Sequence, residues 1–259
     1  MDGALRTQLG DQLFDALRAR RTVEPITSRH PDVTIEDGYH ISRRLLARRE
    51  AAGERVIGKK IGVTSKAVQR MLDVHQPDFG WLTDGMLGEG ELAISSQLIQ
   101  PRAEGEIAFV LKRDLVGPGV TDADVLAATE CVMACFEIVD SRIRDWKIRI
   151  QDTVADNASS GLFVLGRERV RPEAVDFVTC GMVVEKNGEI VSTGAGAAAL
   201  GSPVHCVRWL ANTLGAFDVP LKAGEIVLSG SLVPLEPVVA GDHMRVRIAG
   251  IGSAEVRFS

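Results

Sequence analysis

Leucines recur every four positions at Leu5, Leu9, Leu13 and Leu17, a spacing that predicts an amphipathic helix at the start of the chain. Thr34, followed three residues later by Asp37, resembles a capping box opening a second helix through Leu46 that Gly53 could close. After this helical N-terminal lobe, residues 1–54, the pattern changes to short strand-like runs at Val56 to Thr64, Glu104 to Leu111, Phe136 to Val139 and Leu162 to Leu165. A helix over Thr121 to Ala134 is expected between the second and third of them. The runs Met182 to Glu185 and Glu189 to Ser192 flank Asn187-Gly188, a hairpin signal, because both central residues of a type I′ turn need positive φ. A helix from about Pro203 to Leu214 follows. Glu225 to Leu228, Met244 to Ile248 and Ala254 to Phe258 then add short strands between Gly and Pro turns. No regular βαβ alternation exists, so the expected class is α+β, with residues 55–259 forming the β-rich part packed as one unit with the lobe.

The chain has 259 residues, 45% apolar and 25% charged, an ordinary soluble globular make-up that excludes disorder, collagen and coiled coil. A net charge of −5 without a long basic run argues against nucleic acid as a partner. Met1 to Leu17 carries acids and lacks a continuous apolar core, and nowhere do 18 apolar residues run together, so neither a signal peptide nor a membrane span is expected. The expected location is cytoplasmic. Cys131, Cys135, Cys180 and Cys206 form no CxxC pair and read as reduced, buried thiols.

Two motif matches fail on context. Gly53-Glu-Arg-Val-Ile-Gly58-Lys59 has the spacing of a phosphate-binding loop, but Lys60 stands where Ser or Thr is needed and Val56-Ile57 looks like strand. Gly194-Ala-Gly196-Ala-Ala-Ala199 matches a dinucleotide fingerprint but leaves the second arm of a hairpin, which suggests a tight small-residue turn. No histidine makes HExxH, and no GxSxG occurs.

In Arg102-Ala-Glu104-Gly-Glu106-Ile-Ala-Phe-Val-Leu111 alternation puts Ala103, Ile107, Phe109 and Leu111 on one face and Glu104, Glu106 and Ala108 on the other. Two bare carboxylates about 5 Å apart would repel by roughly 3 kcal/mol at an effective dielectric of 20, so something positive is wanted there. Glu137 lies in the apolar run Phe136-Glu-Ile-Val139, where an unpaired carboxylate is expensive. Three acidic oxygens suit Mg²⁺ or Mn²⁺, although Glu-x-Glu on a strand is more often simply a solvated face. Lys60 shares its face with Gly58, Gly62 and Thr64: it either points into a recess and pairs with a substrate carboxylate or enolate, or is an exposed lysine beside an edge. Asp78, in Gln76-Pro-Asp-Phe-Gly80, is an acid or base near it, or ordinary turn chemistry, and Asp156-Asn-Ala-Ser159-Ser160 reads by itself as a cap or turn.

At these residues the chain resembles, over nearly its whole length, the 2-keto-4-pentenoate (2-hydroxypenta-2,4-dienoate) hydratases of aromatic meta-cleavage pathways, within the fumarylacetoacetate hydrolase superfamily. The resemblance is carried by Gly58-Lys-Lys60-Ile-Gly-Val-Thr-Ser-Lys66, Gln76-Pro-Asp-Phe-Gly80, Ala103-Glu-Gly-Glu-Ile-Ala-Phe-Val110, Phe136-Glu-Ile-Val-Asp-Ser-Arg142, Asp152-Thr-Val-Ala-Asp-Asn-Ala-Ser159 and Gly194-Ala-Gly-Ala-Ala-Ala-Leu-Gly201. It implies mixed, strongly bent β-sheets in a sandwich or roll, a helical N-terminal lobe and a homo-oligomer. It also implies a divalent metal held by Glu104, Glu106 and Glu137, with Lys60 and Asp78 working beside it and the Ser159 region binding the substrate carboxylate. The implied reaction is hydration of a 2-hydroxydienoate. The alternatives are a 4-oxalocrotonate decarboxylase, or a non-catalytic partner of that decarboxylase in a shared complex. The decarboxylases resemble a Pro-Ile-Tyr-Gly pattern where this chain has Pro77-Asp78-Phe79-Gly80, so Asp78 favours hydration; hydratases of longer dicarboxylates look similar there. Hydrolases of the superfamily use a histidine-acid pair, which these residues do not provide.

Overall fold

A computed structural model describes residues 1–71 and 74–259. The helix Gly3–Ala19 starts on Asp2, whose carboxylate accepts the Leu5 N–H at 2.8 Å. The helix Ile35–Ala51 opens on the reciprocal Thr34/Asp37 bonds that the sequence indicates and runs one turn past Leu46; Gly53, at φ 102°, turns the chain away after it. Leu9, Leu13 and Phe14 of the first helix meet Ile41 and Leu45 of the second in one apolar cluster. That cluster also takes in Ile143 and Ala155 from the β-rich part, so the lobe packs on segments flanking the site.

Asp37 joins these elements. It accepts from the Thr34 N–H and hydroxyl at 3.0 and 2.9 Å and from Arg6 Nε at 2.8 Å. Burial alone would raise its carboxyl, but these donors outweigh it and hold the group at about 2. A depressed acid stabilises the fold above its unfolded value of 3.8 and loses that contribution as pH falls towards 2. Because Arg6 is partly in water, the expected cost of Asp37→Asn is about 1–2 kcal/mol at pH 7. Thermal melts should show this gap closing on acidification through that window; a gap independent of pH would refute the assignment.

The β-rich part begins with β1 (Val56–Gly62), β2 (Asp78–Thr83), β3 (Leu87–Gly88), β4 (Glu91–Leu92), β5 (Arg102–Leu111), β6 (Thr129–Val139) and β7 (Ser160–Leu165). It continues with β8 (Gly181–Lys186), β9 (Glu189–Ala195), β10 (Ile226–Leu228), β11 (Glu236–Pro237), β12 (His243–Ile248) and β13 (Gly252–Phe258). Among the described residues one sheet has the order β2-β1-β10-β5-β6-β7-β3, with β11 beside β5, and the other the order β4-β13-β12-β8-β9. Both are mixed: β1 with β10, β3 with β7 and β4 with β13 are parallel, the remaining pairs antiparallel. Ala103, Ile107 and Phe109 bury the outer face of β5 in the main core together with Met182, Val184 and Val246 of the second sheet. The other face of β5 is left for the acids.

The hairpin forms as its turn signal requires, with Asn187 and Gly188 at φ 54° and 89°. The helix Pro203–Gly215 starts with proline in its first turn and Ser202 as its cap, burying Val207, Leu210 and Leu214 on one side. Gly194 and Ala195 end β9 and a tight turn over Gly196–Ala198 follows, while Val56 to Lys60 of the other match lie in strand β1 rather than in a phosphate loop. All four cysteines are buried and free. The helix expected over Thr121 to Ala134 is corrected: it covers only Asp122–Ala128, and Thr129 begins β6. Nearly every residue of β6 is buried, and a strand buried on both faces loses the polar alternation that would mark it. Among the described residues no helix is long and apolar enough to cross a membrane.

Candidate active site

β5 and β6 pair so that Glu104 faces Glu137 directly and Glu106 faces Cys135. Like charges placed directly opposite on neighbouring strands destabilise a sheet unless a cation intervenes. One oxygen from each of Glu104, Glu106 and Glu137 lies within 4.8 Å of the others. The solvated-face alternative therefore fails for this Glu-x-Glu pair: Glu106 and Glu137 are fully buried, and Glu104 is half-buried at the cavity wall. Burial, then the neighbouring Glu137, pushes the Glu104 carboxyl up to about 8. The same two causes, with Glu104 added, drive Glu106 well above the usual carboxylate range. Burial also raises Glu137, against the pull of Lys60.

Lys60 lies on β1, flanked by β2 and β10, and is 2% exposed, so it is not an edge lysine. Its Nζ lies 3.1 Å from Glu137 Oε1. Burial pulls its ammonium down, but Glu137, Asp78, Glu104 and Glu106 together outweigh burial and hold it above the ordinary lysine range. Lys59, one residue earlier and on the opposite face, is paired instead with Glu225 at 2.6 Å.

Asp78 is the first residue of β2 and pairs with Gly62, which places it on a strand and not in a turn. A Cβ on Gly62 would stand 2.3 Å from Asp78 Oδ1 and 3.3 Å from Lys60 Nζ, so only glycine leaves these groups room. Asp78 Oδ1 is buried without a hydrogen-bond partner, as are Glu106 Oε1 and Ser159 Oγ. Glu106 Oε2 accepts the Gly230 N–H at 2.8 Å, from a loop remote in sequence. Orphaned buried oxygens are costly, and a hard, oxygen-preferring divalent ion would satisfy the three glutamates. The residues present fit such an ion.

Lys60, Asp78, Glu104 and Ser159 line one cavity of about 590 Å³ whose walls are mainly apolar, with Val139, Ile148 and Leu232 among them. All six residues singled out in the sequence thus belong to one place, and Ser159 belongs to more than a cap. Asn157, Ala158 and Ser159 are three consecutive residues with φ near 50°, a conformation that persists only when its surroundings enforce it. Asn157 clamps the Trp81 backbone, donating to its carbonyl at 2.9 Å and accepting from its N–H at 2.8 Å. Beneath the turn, buried Arg142 donates to Asp156, to the Asp140 carbonyl at 2.6 Å and to the Ser160 carbonyl at 2.7 Å. Asp152 accepts from the N–H and hydroxyl of Thr27 at 3.0 and 2.6 Å, tying the lobe to the same segment. Arg142 and Asp156 carry no local signal of this role, because their pairing exists only once β6 and β7 are side by side.

A mixed sheet whose inner face gathers three glutamates, a lysine and an aspartate beside a partly open cavity has the donor set of an enzyme that uses a divalent cation. A family model, the C-terminal part of fumarylacetoacetate (FAA) hydrolase, matches residues 61–259, and the chain belongs to this fumarylacetoacetate hydrolase family. It is 72% identical over 221 residues to a 2-hydroxypent-2,4-dienoate hydratase of Pseudomonas putida, covering 85% of this chain and 100% of that relative. It is 60% identical to a 2-hydroxyhexa-2,4-dienoate hydratase of Comamonas testosteroni, over 96% of each chain. Among solved structures, the 4-oxalocrotonate decarboxylase from Pseudomonas putida G7, complexed with magnesium and adipate, superposes with a TM-score of 0.96. That match has 36% identity and covers 100% of this chain and 99% of that one.

Proposed function

We propose that the protein is a hydro-lyase that adds water to 2-hydroxypenta-2,4-dienoate to give 4-hydroxy-2-oxopentanoate, in meta-cleavage catabolism of aromatics. The observation that carries this reading is the 72% identity to a dienoate hydratase along that relative's full length. The cluster Glu104, Glu106 and Glu137 beside Lys60 and Asp78 supports it. Residues 55–259 form the catalytic unit in this reading, and the lobe of residues 1–54 braces it.

Glu104, Glu106 and Glu137 would hold Mg²⁺ or Mn²⁺, in keeping with the magnesium of the decarboxylase structure. When bound, that cation supplies Lewis acidity towards the 2-oxo acid end of the substrate. Lys60, whose Nζ lies 3.1 Å from Glu137 Oε1 at the cavity wall, holds positive charge beside the oxygen at C2. Ser159 Oγ, with no protein partner, is free to donate to the C1 carboxylate. Asp78 Oδ1, unpartnered at the cavity wall, handles the protons. It takes the proton of the C2 hydroxyl and delivers one to C5, and the double bonds shift to give 2-oxopent-3-enoate. It then takes a proton from water as the water oxygen bonds to C4, and returns one to C3. Each half-reaction is balanced with Asp78 restored.

The structural likeness to a decarboxylase makes that reaction the second reading, because the two share a frame. Purified protein with Mg²⁺ should consume the ultraviolet absorbance of the dienol and form the hydroxy-keto acid. Chelation of the metal should stop turnover, and 4-oxalocrotonate should release no CO₂. CO₂ release without hydration would assign the decarboxylase, and inactivity towards both substrates would assign a scaffold.

A further inference from the structure

We infer that Arg102 is the receptor for the substrate's negative charge, anchoring the carboxylate of the 2-oxo acid at the cavity wall. This rests on the reading above that the cavity takes a 2-oxo acid anion.

The argument is one of charge. Four carboxylates, Asp78, Glu104, Glu106 and Glu137, face Lys60, the single ammonium among them. A divalent cation added to that set still leaves a net charge of −1, by counting formal charges. An anionic substrate entering such a site would be repelled, at a cost that grows as water is excluded. Lys60 is already committed to Glu137 at 3.1 Å. Arg102 lines the same cavity, on the same face of β5 as Glu104 and Glu106, and brings the count to zero.

Its surroundings keep that charge available. Among the described residues no carboxylate forms an ion pair with Arg102, and no hydrogen bond from its guanidinium is seen. It lies 4.8 Å over the Trp146 ring, and across the strand pair it faces Val139. Stacking on an indole holds a guanidinium flat while leaving its N–H edge open to a planar, two-pronged acceptor. Trp146 is itself placed by unusual backbone: Asp145 and Trp146 both have φ of 55°, and the indole N–H donates to the Gln100 carbonyl at 3.2 Å. Two successive left-handed residues beside a cavity are strain retained for positioning. Arg102 is thus an unpaired cation over an indole, at a mainly apolar cavity whose other charged groups, with the glutamate cluster beside it, are acidic apart from Lys60, which is the arrangement a carboxylate ligand completes.

The test uses 2-oxopentanoate, which cannot be hydrated, and its neutral amide, titrated calorimetrically into the Mg²⁺-loaded protein, with Mn²⁺ affinity measured separately. In the unaltered protein the acid should bind at least ten times more tightly than the amide. Arg102→Met should bring this ratio to about one while binding Mn²⁺ at least as tightly as before, since a nearby positive charge has gone. Arg102→Lys, which keeps the charge without the fork, should restore part of the ratio. A Met variant that keeps the preference for the acid, or one that loses Mn²⁺ along with it, overturns the proposal; the second result would make Arg102 a structural residue. The dienol assay separates the two inferences. Failure of hydration with the acid preference intact removes only the hydratase reading, whereas hydration with an unchanged preference in Arg102→Met removes only this one.

Discussion

Glu106→Gln should abolish metal-dependent hydration, by about a thousand-fold or more, equivalent to roughly 4 kcal/mol of transition-state stabilisation, while the protein stays folded. Glu106 sits at the base of the cluster, with Oε2 fixed by the Gly230 N–H and Oε1 without a partner. Glutamine keeps the acceptor for Gly230 but removes the charge that a hard cation needs. In the metal-free protein that charge is a burden, as burial and the adjacent Glu137 and Glu104 drive the carboxyl well above its usual range. The metal-free variant should therefore melt at or above the temperature of the unaltered protein, and the stabilisation that added Mn²⁺ brings should shrink. A variant with full turnover would remove Glu106 from the ligand set. One that unfolds would show its carboxylate to be structural instead.

Arg142→Met should be the most destabilising change near the site. Arg142 is 1% exposed and Asp156 0% exposed, so the substitution strands a buried carboxylate and leaves the carbonyls of Asp140, Asp156 and Ser160 without their donor. Breaking one side of a buried ion pair costs about 3–5 kcal/mol, corresponding to a melting point lower by roughly 10 °C for a chain of this size. Burial already raises Asp156 to about 6 against the pull of Arg142. Without the guanidinium its folded-state value rises further, so the penalty is greatest above that pH and is relieved on acidification, when the neutral acid no longer needs a cation. Asp156→Asn added to Arg142→Met should recover part of the loss, as expected for coupled partners. Strictly additive losses, or a melting point within about 2 °C of the original, would contradict the coupling.

The site was legible where chemistry is local. Alternation along Arg102 to Leu111 places Glu104 and Glu106 on one face whatever the sheet does next, and the same holds for Lys60 among its glycines. Gln76 to Gly80 fits two readings, because the proline before Asp78 suits a turn as well as a strand start; only pairing with Gly62 resolves it. The stretch from Thr129 to Ala134 is strand where the sequence predicts helix, because a strand covered on both faces has no alternation to display.

From the amino-acid order alone come the Thr34/Asp37 cap of the second helix, the Asn187-Gly188 hairpin, the two-faced β5 and the residue types suited to a hard cation. These depend on neighbours a few positions apart, and backbone sterics and side-chain period suffice to decide them. Tertiary structure alone decided that Glu104 faces Glu137, that Lys60 reaches Glu137 from another strand, that Gly230 supports Glu106, and that Arg142 holds the Asp156 turn. Each of those contacts joins segments whose register is set by strand pairing and burial across the whole sheet, and no short-range pattern encodes that register.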